Sequence, residues 1–298
     1  MIHFKQALKE QFQSYYENQD GKEPDEYGFD AQSLFQCEIF FRFLYDEYFK
    51  VQTIGIENIP EHGRVILIGN HSGVLPIDAF MLYIAILNKH PHPRRVRFLV
   101  HKWLLQTPGA GEVIRRCGGV PATYKTARKL LLNDEIVFFY PEGTKGTGKP
   151  FSMRYRLDDF DPGFVKAAIE TKTAIVPVTT IGGDEIFPLL GNLKSIARLM
   201  QAPYWPVTPF YPFFPFSISC MPLPVKLLIK IDKPIYLDYS EENLHNRHLR
   251  KDITRNIQYG VQKQLNELLK LRKSPFSDWD TSLIEQKLCD KAKHHLAG

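Results

Sequence analysis

The chain alternates short apolar runs with segments of helical periodicity, and this alternation limits its fold more than any other feature. Apolar runs bounded by turn residues are typical of buried strands, and they fall at 64–69, 96–100, 135–140, 174–180 and, as a last candidate, 227–231. Helical segments lie between them at 77–87, 123–132 and 161–171. Strands separated by helices in this way predict an α/β fold, with a mostly parallel sheet covered by helices on both faces.

The pattern divides the chain into three parts: residues 1–50, 51–240 and 241–298. The first part begins with an acidic stretch, predicted to be an exposed and partly helical arm. It ends in an aromatic segment at helical spacing, either a helix packed on the core or a helix lying on a bilayer. The middle part holds the predicted sheet. The last part is predicted to be a long polar helix followed by a charged tail.

Composition limits the class of protein. Of the 298 residues 44% are hydrophobic and 24% charged, which excludes a largely disordered chain. The net charge of +5 is too small to indicate a nucleic-acid partner, but it suits an anionic lipid surface. The four cysteines lie far apart, without a metal-binding or disulfide spacing. Neither a signal peptide nor an apolar stretch long enough to cross a bilayer stands out, so a cytoplasmic protein is expected.

The segment 69–78 is the first that can carry chemistry. His71 follows a buried strand, and Asp78 opens the next helix. A histidine at a strand end can act as a general base when a carboxylate fixes its tautomer and balances the charge it acquires. The alternative is a structural histidine in a tight turn. Ser72 is a weaker candidate nucleophile, because the Gly-x-Ser-x-Gly elbow is missing.

The segment 140–146 is the second, and it also follows a strand. Glu142 lies at the strand tip, the glycines let backbone N–H groups approach a ligand, and Lys145 can meet an anion. The alternative is a solvated turn. The stretch 143–150 nearly matches a nucleotide-binding P-loop. However, Pro150 stands where the magnesium-binding hydroxyl belongs, so this alternative is disfavoured.

Residues 201–225 carry no charge, and proline recurs at every third position between 203 and 215. That period is typical of a polyproline II helix and excludes an α-helix. The segment is either a cover over the core or an apolar surface that enters lipid or lines an acyl-chain channel.

The chain offers few candidate metal ligands. His90, His92 and His101 have neither a cysteine nor a carboxylate cluster beside them in the sequence. They are interpreted as loop and surface histidines, and no metal site is expected.

Four of these segments, taken in order, resemble the sequence blocks of the glycerolipid acyltransferase superfamily, which includes glycerol-3-phosphate and lysophosphatidate acyltransferases. They are residues 70–78, 117–121, 140–144 and 163–178. Two departures stand out. Six residues separate His71 from Asp78 where the family has four, which looks more like the branch near mono- and diacylglycerol acyltransferases. The arginine that usually follows the glycines of the second block is also missing, which bears on whether the acceptor carries a phosphate.

The resemblance implies that His71 removes a proton from an acceptor hydroxyl while Asp78 orients its ring. The oxygen then attacks an acyl thioester, either acyl-CoA or acyl carrier protein, and no cofactor or metal is implied. Substrate binding is carried over to Glu142, Gly143, Thr144, Lys145, Gly118 and Gly119. A membrane lipid substrate would be reached peripherally through 201–225. The non-enzymatic alternative is an inactive lipid-binding or membrane-tethering protein on the same fold.

Overall fold

The computed structural model describes residues 25–71, 77–199, 205–208, 222–239 and 244–296. Its strands are β1 (Gln52–Ile54), β2 (Val65–Gly69), β3 (Val96–Val100), β4 (Gly119–Pro121), β5 (Ile136–Phe139), β6 (Ala174–Ile181), β7 (Gly191–Asn192), β8 (Pro206–Val207) and β9 (Leu228–Ile231). Its α-helices are α1 (Ala31–Phe43), α2 (Ile77–Lys89), α3 (Lys102–Leu105), α4 (Ala110–Arg116), α5 (Tyr124–Leu132), α6 (Thr144–Thr147), α7 (Gly163–Thr171), α8 (Gly183–Ile186), α9 (Lys194–Leu199), α10 (Arg247–Leu269) and α11 (Thr281–Leu296).

Seven strands form the main sheet, in the order β1-β9-β6-β2-β5-β3-β4. The five strands from β6 to β4 are parallel. Strand β9 runs antiparallel to β6, and β1 pairs parallel with β9 at the edge. Strand β2 is central, so its carboxyl end lies between the carboxyl ends of β5 and β6. The predicted α/β class, with a mostly parallel sheet, is confirmed.

Strand β2 is buried on both faces, which is why its sequence is a continuous apolar run. Val65 and Leu67 pack into a cluster with residues of α1 and α2. Ile66 and Ile68 point to the opposite face, into a cluster with residues of α5, α7 and α10. The alternation of side chains along one strand therefore produces the three-layer arrangement of helices, sheet and helices.

The arm expected to be exposed is packed down over its last residues, 25–30. Phe29 is 2% exposed in the core, and Asp25 forms ion pairs with Arg95 and Arg97. The expectation is wrong for these residues. The buried guanidinium groups of Arg95, just before β3, and Arg97, within β3, need carboxylate partners. Residues 1–24 lie outside the described part of the chain.

The aromatic segment forms α1, followed by a π-helical turn, Leu44–Tyr48. One face of α1 packs on the core through Leu34, as one of the two interpretations predicts. The other face exposes Ile39, Phe40 and Phe43, which are 47%, 59% and 54% exposed. The same helix therefore covers the core and presents an apolar stripe to its surroundings.

The C-terminal part is more ordered than expected. Helix α10 buries Ile253 and Ile257 against the sheet. Within the predicted charged tail, residues 281–296 form the helix α11. Asp280 accepts a hydrogen bond from the backbone of Leu283 near the start of α11. Ile284, 1% exposed, and the partly buried Leu288 join a small cluster with α10, and these two apolar residues hold the described part of this charged helix against the protein.

Most of the proline-rich segment 201–225 lies outside the described residues. Where the structure describes it, β8 pairs antiparallel with β7 in a two-stranded ladder. The predicted polyproline II helix therefore stays a prediction. Among the described residues, no helix is both long and apolar enough to cross a membrane.

Candidate active site

The site is built at the carboxyl edge of the parallel strands, where Asn70 and His71 continue β2. Asn70 is 3% exposed. Its side-chain amide donates to the Thr180 carbonyl over 3.0 Å, and its side-chain oxygen accepts from the Thr180 N–H over 2.8 Å. These two hydrogen bonds tie the end of β2 to the end of β6. Asn70 thus fixes the backbone position at which the chain leaves the sheet, directly before His71.

The end of β5 holds His71 from the other side. Glu142 is 4% exposed, and its Oε1 accepts the backbone N–H of His71 over 3.0 Å. Its Oε2 accepts from the Lys149 ammonium over 2.6 Å and from the backbone N–H of Asp158 over 2.8 Å. Both carboxylate oxygens are therefore engaged within the protein. Glu142 stands where the sequence predicts it, yet its contacts are those of a group that positions His71.

A close glycine contact completes the support of His71. Gly146 lies in the short helix α6, and a Cβ built on it would stand 2.6 Å from the Cβ of His71 and 3.0 Å from that of Glu142. Real Cβ atoms do not approach so closely, so any larger residue at 146 must displace one of these neighbours. The glycine is required here by close approach, since its backbone is helical.

Tyr140 connects His71 to Asp78. Its ring stacks on the imidazole of His71, with centroids 3.9 Å apart and the planes inclined by 13°. Its hydroxyl faces the carboxylate of Asp78, which is 3% exposed in the first turn of α2. Burial and then the Asp78 charge raise the pKa of Tyr140 well above its ordinary value. His71 and Asp78, the two residues predicted to form a dyad, thus both lie next to the side chain of Tyr140.

Electrostatics keep the imidazole neutral. Burial first, and then the positive charge of Lys149, lower the pKa of His71 to about 3. Nδ1 of His71 is buried without a hydrogen-bond partner among the described residues. An imidazole that is uncharged at neutral pH is ready to accept a proton, as a general base must be. Residues 72–76, which carry the Gly73 turn expected to supply oxyanion donors, lie outside the described residues.

The other residues predicted to bind substrate fall into two groups. Gly143, Thr144 and Lys145 are exposed beside Glu142. Gly143 has φ +59°, with open space where a Cβ would be, so the backbone there is accessible to a ligand. Gly118 and Gly119 are instead buried, where added Cβ atoms would meet the Val96 carbonyl at 2.8 Å and Cγ2 of Ile114 at 2.4 Å. Their packing accounts for both glycines, and their role in substrate binding stays a prediction.

Lys149 is a site residue to which the sequence patterns assign no role. The near-match to a P-loop draws attention to it, but its ammonium is bonded to Glu142 and to the Arg156 carbonyl. The next long helix, α7, begins only at Gly163. The lysine therefore neutralises a buried carboxylate, and the geometry offers no support for a phosphate-binding loop. Its spacing of seven residues from Glu142 gives no simple signal for the pair.

Comparisons with known proteins show which family the chain resembles. The sequence profile of the Acyltransferase family matches residues 50–181. An uncharacterized protein of Mycobacterium leprae is 39% identical over 257 residues, which make up 85% of this chain and 69% of that protein. A 1-acyl-sn-glycerol-3-phosphate acyltransferase of Borreliella burgdorferi is 30% identical over 143 residues, 46% of this chain and 54% of that enzyme.

Among solved structures, the 1-acyl-sn-glycerophosphate acyltransferase PlsC from Thermotoga maritima has a similar fold. The TM-score is 0.54 over 81% of each chain, at 21% identity. This likeness shows the αβα fold. The protein is an acyltransferase, and it belongs to the glycerolipid acyltransferase superfamily. The resemblance stated from the four sequence blocks is confirmed, whereas the branch within the superfamily stays a prediction.

Proposed function

We propose that the protein transfers a fatty acyl group from an acyl thioester to a hydroxyl of a lysophospholipid or related glycerolipid, with His71 as general base. The observation that carries this proposal is that residues 70–71 are held by both neighbouring strand ends: Glu142 accepts the backbone N–H of His71, and the side chain of Asn70 accepts the backbone N–H of Thr180. Burial and then Lys149 lower the pKa of His71, so its imidazole is neutral. Because the base is held in one place, an acceptor that binds beside it presents its hydroxyl to the base in a defined geometry.

The chemistry needs one proton and one acyl group to move. Neutral His71 takes the proton of the acceptor hydroxyl as its oxygen attacks the thioester carbonyl carbon. The tetrahedral intermediate collapses, the carbon–sulfur bond breaks, and the imidazolium returns its proton to the thiolate. The ester and the free thiol leave, and His71 is neutral again. An activated thioester makes a covalent acyl-enzyme unnecessary, so no nucleophilic serine is required.

Asp78 and Tyr140 would control the charge that His71 acquires. A carboxylate near the imidazolium stabilises it and favours one ring tautomer. Tyr140 limits the ring to one plane by stacking, and its hydroxyl lies against the Asp78 carboxylate. The stacking of Tyr140 on the imidazole would keep the base oriented between turnovers.

The acceptor headgroup would bind at 143–145, the exposed stretch beside Glu142. Lys145 is an exposed ammonium there, suited to an anionic headgroup. Kinetics of Lys145→Ala separate the two acceptor classes. A raised KM for lysophosphatidate, with the thioester KM unchanged, supports a phosphate-bearing acceptor. An unchanged acceptor KM favours a neutral acceptor such as a monoacylglycerol, consistent with the missing arginine after Gly119.

The lipid substrate implies peripheral binding to a membrane, which we place at 201–225 and the exposed face of α1. Described residues next to that segment support this, because Leu190 and Leu199 are 61% and 82% exposed. Flotation with anionic and zwitterionic vesicles tests it, using Phe210/Phe213/Phe214→Ser and Ile39/Phe40/Phe43→Ser. Apolar insertion is supported if the serine variants no longer float with the vesicles while the wild type still floats in high salt. Wild-type flotation by both folded variants excludes it.

A panel of donors and acceptors tests the function itself. Purified protein is given labelled acyl-CoA or acyl carrier protein with glycerol 3-phosphate, lysophosphatidate, other lysophospholipids or monoacylglycerol, and the products are identified by mass. We expect a new ester with one donor and one acceptor class, and release of one free thiol per ester. Thiol release without ester formation, or no reaction with any pair, would contradict the proposal.

A further inference from the structure

Three potential metal ligands meet at the amino edge of the sheet, away from His71. Glu61 and His62 lie in the loop before β2, and His92 lies in the loop before β3. Nε2 of His92 stands 3.2 Å from Oε2 of Glu61, and the rings of His62 and His92 have centroids 5.3 Å apart. One ligand atom from each residue lies within 4.8 Å of the others. The sequence suggested no such cluster, because 30 residues separate His62 from His92.

Both loops are held by groups beneath the cluster. His90 is 4% exposed. Its Nε2 lies 2.8 Å from the Ile59 carbonyl oxygen, and its Nδ1 lies 2.6 Å from the carbonyl oxygen of His92 and 3.1 Å from its backbone nitrogen. One buried ring therefore fixes the spacing between the two loops that carry the ligands.

Arg94 fixes the shape of the first loop. Its guanidinium donates to the Pro60 carbonyl over 2.9 Å and also to the carbonyl of Gly63. The two carbonyls lie on either side of Glu61 and His62, so this loop is clamped at both ends. Preorganised backbone under exposed ligands distinguishes the cluster from charged side chains that meet by chance.

We propose that Glu61, His62 and His92 form a binding site for a divalent transition metal ion of the zinc class. Two imidazoles and one carboxylate are typical zinc ligands. Bond lengths of about 2.0–2.2 Å place tetrahedral ligands about 3.3 Å apart. The separation of His92 and Glu61 already matches this value, and the exposed His62 can close by rotation of its side chain. Magnesium and calcium, which prefer oxygen ligands, are disfavoured.

The bound ion would join two loops that are distant in sequence. It would cross-link the approach to β2 with the approach to β3, while the fourth coordination position faces solvent. Because the reacting edge lies at the other end of these strands, the ion would contribute to stability and leave acyl transfer unchanged. The site is therefore independent of the proposed function.

Zinc titration of the untagged full-length chain against a competing chromophoric chelator tests this proposal. We expect one tight site per chain and a melting temperature that rises with zinc but not with magnesium. His62→Ala and His92→Ala each remove an exposed ligand, so both variants should fold. Removal of even an outer-shell partner typically weakens a metal site about 10- to 100-fold. We expect each variant to lose zinc affinity by about tenfold or more.

Matched controls come from histidines elsewhere in the chain. His245→Ala/His248→Ala removes an exposed pair at α10, and His294→Ala/His295→Ala removes the adjacent pair near the C-terminus. Both controls should bind zinc as the wild type does. Equal zinc affinity in His62→Ala and the wild type, or loss of the tight site in either control, would overturn the assignment. A wild type without tight zinc binding would overturn it as well.

Discussion

Buried charged residues have different roles at the carboxyl and amino edges of the sheet. At the carboxyl edge, Glu142 holds the backbone of His71 and is neutralised by Lys149. At the amino edge, Arg97 is 2% exposed and pairs with Asp25, which fastens the N-terminal segment to the sheet. Each ion pair has one fully buried partner, although Asp25 itself is 23% exposed, and only the first pair touches the residue proposed to react. Substitutions at the carboxyl edge should therefore change the rate, and those at the amino edge should change stability.

Asp78→Asn and Gly146→Ala should both disturb the orientation of His71, and Asp78→Asn should cause the larger loss of rate. An amide cannot balance the imidazolium, and it can stabilise the wrong tautomer, so transfer should fall by about 10³-fold or more. Initial rates at saturating donor and acceptor measure the effect, with the melting temperature as a check on folding. Rates near wild type in the folded variant would mean that another group orients His71.

Gly146→Ala tests whether the position of His71 matters as much as its presence. The new methyl group would collide with the His71 side chain. Because small displacements of a reacting group are costly, we expect kcat to fall by about 10- to 100-fold with little change in KM. Gly260→Ala is the matched control, since a Cβ there meets nothing within 4 Å. Equal rates in the two variants would show that contact with Gly146 is unimportant.

Arg97→Met should show the opposite behaviour. Arg97 pairs with Asp25 and Glu135, and both carboxylates also pair with Arg95, so removing Arg97 weakens the cluster without leaving either carboxylate unpaired. We expect the free energy of unfolding to fall by about 1–3 kcal/mol, the typical cost of losing hydrogen bonds to charged groups, with acyl transfer per folded molecule unchanged. Denaturant unfolding and rates at low temperature measure the two quantities. A lost rate in the folded variant would show that the amino edge also controls His71.

The pH dependence should be shallow on the acid side. The lowered pKa of His71, about 3, keeps the imidazole neutral and able to accept a proton far below the ordinary histidine value of about 6.5. We therefore expect kcat/KM of folded protein to change by less than about twofold between about pH 7 and pH 5. An acid limb centred near the ordinary value would contradict the effect of burial and of Lys149 on His71.

Local sequence patterns are sufficient to predict the central strands of the sheet. The strands containing Leu67, Phe98, Phe138 and Val176 were predicted because each is a buried apolar run between turn signals. The edge strand β1 was missed, since three residues give no periodicity and its partner β9 lies far along the chain. The sequence of α11 predicts a charged tail and gives little sign of a packed helix, because few of its positions are apolar.

The site was only partly predictable for the same reason. His71 and Glu142 follow strands, and parallel strands bring their carboxyl ends together, so their proximity could be anticipated. The stacking of Tyr140 on His71 and the pairing of Lys149 with Glu142 depend on how a loop folds back across the strand ends. No spacing along one strand or helix encodes such contacts. The meeting of Glu61 with His92 is hidden for the same physical reason.

Acyl transfer by His71→Ala, measured beside its melting temperature, tests the central claim most directly. His248→Ala, which removes an exposed histidine of α10, is the matched control. Loss of a general base typically costs about 10²–10⁴-fold in rate. We predict a loss of that size for His71→Ala, an unchanged melting temperature for both variants, and a wild-type rate for His248→Ala. Transfer near the wild-type rate by folded His71→Ala protein would contradict the account.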